Sequence, residues 1–393
     1  VFLREGNRAY AVACPYFDQV GLVTQLYRMG QATTLGQLKD ALFMLQLMEQ
    51  NTMMADVEGN LFYFRNGRVP VRPEGLDFTK PVPGNTAETE WRGLYPPARL
   101  VQLENPPQGY MQNNNCGPEF MLVDCPLKPG DYPPEVYGGG GDHSRSLRGR
   151  RLLHAADRLT VEGAIEIALD THAEGVEEWQ SALDQARQGV PESAIAGEPG
   201  LAEVLAAFLA WDGCLTAEAS AAPFYRALLE AAREAPLDCG PIHRREPLNN
   251  EQIQAVRAAV LTAVRRLSDL YGRTLIPWGE VHRVRRGDRS FPAPGGDAGS
   301  GSTLRAIGVA RDEASGICYG ESGQSWTQVV VLERGNVRSF SATPYGQSDH
   351  PSSPHFFDQG EKLFSRLKLK DTYFQPGSLE GHVESEITLT FEP

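Results

Sequence analysis

Four side-chain amides stand in a row at Gln112-Asn113-Asn114-Asn115, directly after the aromatic and apolar pair Tyr110-Met111. An amide is costly to bury without partners, so such a run needs a physical reason. Two readings are open. One is an Asn-rich turn, because asparagine tolerates left-handed backbone and bonds its own chain. The other is that one amide N–H points into a site as an oxyanion donor or substrate clamp. Arg148, in Ser146-Leu147-Arg148-Gly149-Arg150-Arg151 just before a helical segment, likewise reads either as part of a solvated basic face or as a site arginine.

Other chemistries find less support. Gly346-Gln347-Ser348-Asp349-His350 and Gly323-Gln324-Ser325 hold tempting serines, but neither is a GxSxG elbow, and adjacent Ser, Asp and His cannot form a triad with one another. The eight histidines show no HExxH spacing and the six cysteines no CxxC pair, which leaves a catalytic or structural zinc without ligands. Cys116 with Cys125, or Cys214 with Cys239, could close a short disulfide loop in an oxidising compartment, against the alternative of buried thiols. The loop Pro294 to Ser302 is rich in Gly and Ser but matches neither phosphate-binding spacing. His282 to Arg289 reads as a paired surface turn.

At 393 residues with 41% hydrophobic side chains, the chain can bury a sizeable core. Its net charge of −13 argues against a surface built to neutralise phosphates, so no nucleic-acid partner is expected. The longest apolar runs, such as Val204 to Trp211, are far short of the roughly 20 residues of a membrane span. A soluble globular protein follows.

The elements that must position these side chains come in three blocks. In residues 1–150, apolar spacing and the Thr34/Gln37 capping pattern predict a helix from Thr34 to Gln50, and Gly59-Asn60 joins two β-rich runs in a hairpin. Prolines then turn residues 65–110 and 126–145 into ordered loops. Residues 151–275 are mainly helical: 160–169, 176–187, 201–211, 221–233, and a helix capped by Asn249 and Gln252 that ends near Tyr271-Gly272. Residues 276–393 return to strands at 325–332, 337–342 and, by alternation of Val383, Ser385, Ile387, Leu389 and Phe391, 383–391. Helices set between early and late strands imply an α+β fold.

Several segments in this order resemble the large (β) subunit of the penicillin acylase family of N-terminal-nucleophile hydrolases. They are Asp56-Val57-Glu58-Gly59-Asn60-Leu61-Phe62-Tyr63, Gly67-Arg68-Val69-Pro70-Val71-Arg72, Pro81-Val82-Pro83-Gly84, Thr89-Glu90-Trp91-Arg92-Gly93 and Asn105-Pro106-Pro107-Gln108-Gly109-Tyr110-Met111 with the amide run. Gly323-Gln324-Ser325, Gly346-Gln347-Ser348-Asp349, Ser353-Pro354-His355-Phe356-Phe357-Asp358-Gln359 and Leu363-Phe364-Ser365 resemble the family's closing pattern. Trp278-Gly279-Glu280-Val281-His282 and Pro294-Gly295-Gly296-Asp297 lean toward acyl-homoserine-lactone and aculeacin-type lipopeptide acylases.

The resemblance implies a four-layer αββα core with an inserted helical lobe. It implies hydrolysis of an amide between an acyl chain and an amine, by a hydrolase exported to the periplasm or medium and matured by autoproteolytic processing, in antibiotic or quorum-signal metabolism. The nucleophile opens the β subunit and its own α-amine serves as base. Carried onto this chain, the oxyanion asparagine falls on Asn115, with Asn113 if the register slips by two, and Arg148 matches the arginine that orients the nucleophile's surroundings. Val1 has no hydroxyl or thiol, and the opening residues resemble sequence well inside the β subunit. The expectation is therefore that nucleophile, a nearby histidine and a second oxyanion donor lie on other segments of the same precursor, that the α subunit and the N-terminal part of the β subunit are partners, and that this chain alone has no acylase activity. No cofactor is required; some relatives bind calcium, for which Asp131 and Glu135 are the candidate ligands, against the reading that two loop carboxylates are merely solvated. The alternative function is a non-catalytic homologue that binds acylated ligands.

Overall fold

The computed structural model describes residues 3–391 apart from 192, 194, 196, 236 and 298–301. Val1 and part of the Gly/Ser-rich loop thus lie outside the described residues. The chain divides into two compact units, 1–155 with 332–334, and 156–331 with 335–393.

In the first unit, strands Gln50–Ala55 and Leu61–Asn66 pair antiparallel, Ala55 opposite Leu61. The expected hairpin forms: Asp56 O accepts from Gly59 N–H at 3.1 Å, and Gly59 takes φ +85°, the left-handed region glycine adopts without strain. Leu61-Phe62-Tyr63-Phe64 lies in the middle of the sheet, because Gln102–Glu104 adds a third strand on its other side. Phe62, Tyr63 and Phe64 are accordingly all buried, with Leu42, Val101, Met121 and Tyr137 in one core. That third strand was not expected in the proline-rich stretch.

The helix expected from Thr34 to Gln50 is shorter, Leu35–Leu42. Thr34 caps it as expected, its side chain accepting from Gln37 N–H at 3.2 Å. What stops it comes from far along the chain. Gln25 is buried, and its Oε1 accepts from the N–H groups of Gln46 and Leu47 at 2.6 and 3.2 Å. Asn66 Nδ2 donates to the carbonyls of Leu47 and Met48 at 2.9 and 3.2 Å. Backbone groups that a helix would use internally are thus taken by two amides, and Leu45 turns left-handed at φ +50°. A second boundary also moves: the irregular stretch ends at Ser144, and Arg148 lies inside a helix, Ser144–Ala155, rather than before one.

The second unit holds the helices Val161–Ala168, Val176–Arg187, Leu201–Leu209, Ala222–Glu234 and Asn250–Tyr271. They enclose a core that includes Trp179, Phe208, Phe224, Val256 and Trp278. Both halves of the Asn249/Gln252 capping box form, and Gly272 closes the long helix at φ +69°. The basic segment expected as a turn is instead a hairpin, His282–Arg286 with Arg289–Pro292. It belongs to a four-stranded sheet in which Cys318–Gly323 pairs with His282–Arg286 on one side and Ile307–Arg311 on the other. Thr327–Val331, Arg338–Ala342 and Lys370–Asp371 make a separate three-stranded sheet. The strand expected at 383–391 is absent. None of the described strands pairs with it, and alternation sets faces but cannot supply a ladder. Of the two readings of the cysteines, free thiols hold: neither Cys116 with Cys125 nor Cys214 with Cys239 is bridged, and all six are free. Cys116 and Cys125 sit buried in the first core, where Gln112 Nε2 approaches Cys116 Sγ at 3.8 Å and Cys125 Sγ donates to Pro118 O at 3.2 Å. No described helix is long and apolar enough to cross a membrane.

Candidate active site

The amide run forms the Asn-rich turn that is one of its two readings. Three of the four amides build a turn. Gln112, buried, donates Nε2–H to Phe120 O at 2.7 Å and accepts from Asn114 Nδ2 at 2.7 Å. Asn113 accepts the Asn115 N–H at 2.9 Å and donates to Cys116 O at 3.3 Å. The fallback Asn113 is therefore committed to the turn at both ends of its amide. Asn115 sits at φ +66°, the left-handed conformation that the turn requires and that asparagine tolerates.

Asn115's own amide is exposed and used differently. Its Oδ1 accepts from Nη1 and Nη2 of Arg145, both at 3.3 Å. With the oxygen held by a cation, the network fixes which end of the amide is which, and Nδ2 is the end turned away from the guanidinium. Among the described residues Nδ2–H donates to no partner.

Close backbone approach holds the two segments together. Gly117 N–H donates to Gly140 O at 3.0 Å. A Cβ on Gly117 would stand 2.8 Å from that oxygen, and one on Gly140 2.9 Å from Gly117 N. The Gly138 to Gly141 run thus lets the chain pass against the amide turn before it enters the helix that carries Arg145. Asp142 anchors that helix: Ser146 Oγ donates to Oδ1 at 2.5 Å and Arg150 Nη2 to Oδ2 at 2.7 Å, while Arg150 Nη1 donates to Phe120 O at 2.8 Å. Burial would raise the Asp142 carboxyl, but these donors outweigh it and hold the group below the usual carboxylate range. Asp142 in turn raises Arg150. Burial lowers Arg145, and burial together with the Arg145 charge lowers His143.

Arg148 lies one turn beyond Arg145 on the same helix, half-buried and engaged in interactions of its own. The side chain that reaches Asn115 is Arg145, which sequence reasoning passed over. The signal was present in the same cluster, Ser144-Arg145-Ser146-Leu147-Arg148, but residues three apart share a helix face and spacing cannot choose between them. Asp131 is exposed, and Glu135 Oε1 accepts from Tyr95 OH at 3.2 Å. Among the described residues no three Asp, Glu, His or Cys side chains gather as a metal site. Calcium takes six to eight oxygens, so these two carboxylates do not by themselves fit it.

Residues 3–380 match the family model described as penicillin amidase. The chain belongs to the penicillin amidase family. It is 28% identical over 386 residues to the penicillin acylase 2 proenzyme of Pseudomonas sp. (strain SE83), covering 85% of this chain and 45% of that relative. It is 24% identical over 423 residues to the acyl-homoserine lactone acylase PvdQ of Pseudomonas savastanoi pv. phaseolicola, covering 94% of this chain and 51% of the relative. This member of the penicillin amidase family therefore spans about half the length of the curated relatives it matches. Among solved structures, a thermostable penicillin G acylase from Alcaligenes faecalis superimposes with a TM-score of 0.58 at 18% identity, over 94% of this chain and 72% of that one. The likeness is one of fold, mixed helix and sheet, in keeping with the α+β expectation.

Proposed function

We propose that this chain is the larger part of an acylase that hydrolyses the amide bond of N-acylated small molecules. The observation that carries the reading is the Asn115 amide, exposed, with its oxygen held by Arg145 and its N–H on the end away from that guanidinium. Family membership and the acylase names of the relatives support it. In the proposed reaction a Ser, Thr or Cys opening another segment of the precursor attacks the acyl carbonyl, with its α-amine taking the proton. The carbonyl oxygen becomes an oxyanion, which Asn115 Nδ2–H stabilises by a charge-assisted bond. The C–N bond then breaks, the amine leaves with the proton, and water hydrolyses the acyl-enzyme. Arg145 holds the amide in the donating orientation, and Arg148 orients the surroundings of the nucleophile.

The substrate classes are acyl-homoserine lactones, β-lactam side-chain amides and lipopeptides. The partners are the α subunit and the N-terminal part of the β subunit, produced by self-cleavage in the periplasm or medium, and together with them the chain completes the four-layer αββα core. Calcium belongs to this proposal only if oxygens from those partners join Asp131 and Glu135. The test is to co-express this chain with a segment opened by the nucleophile and to assay acyl release from short and long acyl amides. The assembled protein should turn over and this chain alone should not. Asn115→Ala should lower kcat about 10²- to 10³-fold, the usual loss of one oxyanion donor. Unchanged kcat in that variant overturns the role of Asn115, and ligand binding without turnover by the assembled protein favours the non-catalytic alternative.

A further inference from the structure

The helical part of the second unit carries a pocket of about 190 Å³, half open to solvent, whose walls are mostly apolar, among them Leu183, Leu201, Leu205 and Val260. Two arginines, Arg187 and Arg257, are the charged residues on its lining. Apolar surface facing water in such a pocket favours an apolar ligand that would cover it. Water against the apolar walls finds few hydrogen-bond partners, so an apolar group can displace it.

The arginines select the occupant. Arg257 donates Nε–H to Ala186 O at 2.6 Å and Nη2–H to Gln188 O at 3.1 Å, which fixes its guanidinium at the end of the helix Val176–Arg187. Nη1 takes part in neither bond, and no carboxylate pairs with Arg257 among the described residues. Arg187 is held by one exposed ion pair to Asp184 at 3.0 Å, a contact worth little and easily exchanged. An apolar chamber lined by a fixed cation and a loosely held one matches a hydrocarbon tail with an anionic head. A cavity of about 150 Å³ takes benzene, so this one holds about eight carbons.

We propose that this cavity binds a medium-chain fatty carboxylate, with its tail among the leucines and its carboxylate at Arg257 and Arg187. The site is built by the second unit alone and does not depend on the acylase reading, because Asn115 and Arg145 belong to the other unit.

Calorimetric titration of the whole chain tests this with sodium octanoate, sodium butanoate and octylammonium chloride. Octanoate should bind at one saturable site, with butanoate and octylammonium each at least about tenfold weaker. Val190→Trp, at a half-exposed position on the lining, should fill the chamber and weaken octanoate by about tenfold or more with unchanged thermal unfolding. Arg187→Gln, at an exposed position, should weaken octanoate and leave octanol unchanged. Absence of saturable octanoate binding, or octanoate affinity that Val190→Trp leaves intact, overturns the site. Equal binding of octanoate and octylammonium overturns the anionic head.

Discussion

Arg145 presents both terminal nitrogens to a single oxygen, Oδ1 of Asn115, at 3.3 Å each. A lysine could offer the charge at this position but not the fork, since its ammonium is one rotatable point donor. On the proposed function, Arg145→Lys in the assembled protein should therefore lower kcat by about tenfold to a hundredfold with little change in KM, in line with the loss of an outer orienting partner. Asn115→Asp should fail more completely, because a carboxylate has no N–H to give an oxyanion. Steady-state kinetics on an acyl amide read both. Wild-type kcat in Arg145→Lys would mean that Asn115 needs no orienting partner.

Gly117 and Gly140 meet backbone to backbone, so a methyl on either has nowhere to go. Gly117→Ala and Gly140→Ala should each cost about 1–3 kcal/mol, the usual penalty for overpacking. Gly139→Ala is the control, because a Cβ there meets nothing within 4 Å. Urea midpoints of the three variants check this. Equal midpoints for Gly117→Ala and Gly139→Ala would show that the two segments separate freely, and that the position of Arg145 against Asn115 is not set by the glycines.

Much of this arrangement was legible in the sequence, and the parts that were not share a cause. The Asn249/Gln252 box, the Gly59-Asn60 hairpin and the amide run all carry local signals, where a side chain bonds backbone within a few residues. The premature stop at Leu42 does not, because Gln25 and Asn66 act from about twenty residues away in either direction. Cys318–Gly323 was missed for another reason. Cys-Tyr-Gly-Glu-Ser-Gly lacks the β-branched residues of an interior strand, and Gly320 sits there because a Cβ would come within 3.1 Å of Ile307 Cγ2. Around Asn115, the amide run and the arginine cluster were readable, and that Arg145 is the one to bond Asn115 was not, for that depends on which helix face meets the turn. Family resemblance supplied the functional reading that residue patterns alone left open.

His282 makes the second unit sensitive to acid. The ring is fully buried, stacked on Trp278 at 4.6 Å, donates Nδ1–H to Ala293 O at 2.7 Å and leaves Nε2 without a partner. Burial, assisted by the charge of Arg226, pushes its pKa down to about 3. The unfolded chain takes up this proton near pH 6.5 and the folded one near 3, so below about 6.5 the unfolded state binds more protons and stability falls with falling pH. Above that value the residue contributes no pH dependence. Each unit of pH between those limits costs up to about 1.4 kcal/mol from this residue. Guanidinium unfolding followed by tryptophan fluorescence at pH 7 and pH 5 should show a drop that His282→Gln reduces by about 2 kcal/mol. The same drop in wild type and variant would mean that other groups carry the acid sensitivity.

Val383, Ile387, Leu389 and Phe391 are exposed by 60, 81, 75 and 89%, although their spacing would put them on one face of a strand. Among the described residues no strand pairs with this segment, and a strand without a neighbour has no ladder to hold it. Deleting residues 383–393 should therefore leave the thermal unfolding of the isolated chain within about 1 °C of the original, because few contacts are lost. If the proposed partner segments exist, assembly with them is where the loss should appear. A partner that adds a strand beside 383–391 would bury those four side chains, at about 25 cal/mol per Å² of apolar area. The deletion should then weaken co-purification and lower acyl release in proportion. Destabilisation of the isolated chain would show that the segment already packs against it, and full assembly without the segment would show that no partner strand covers it.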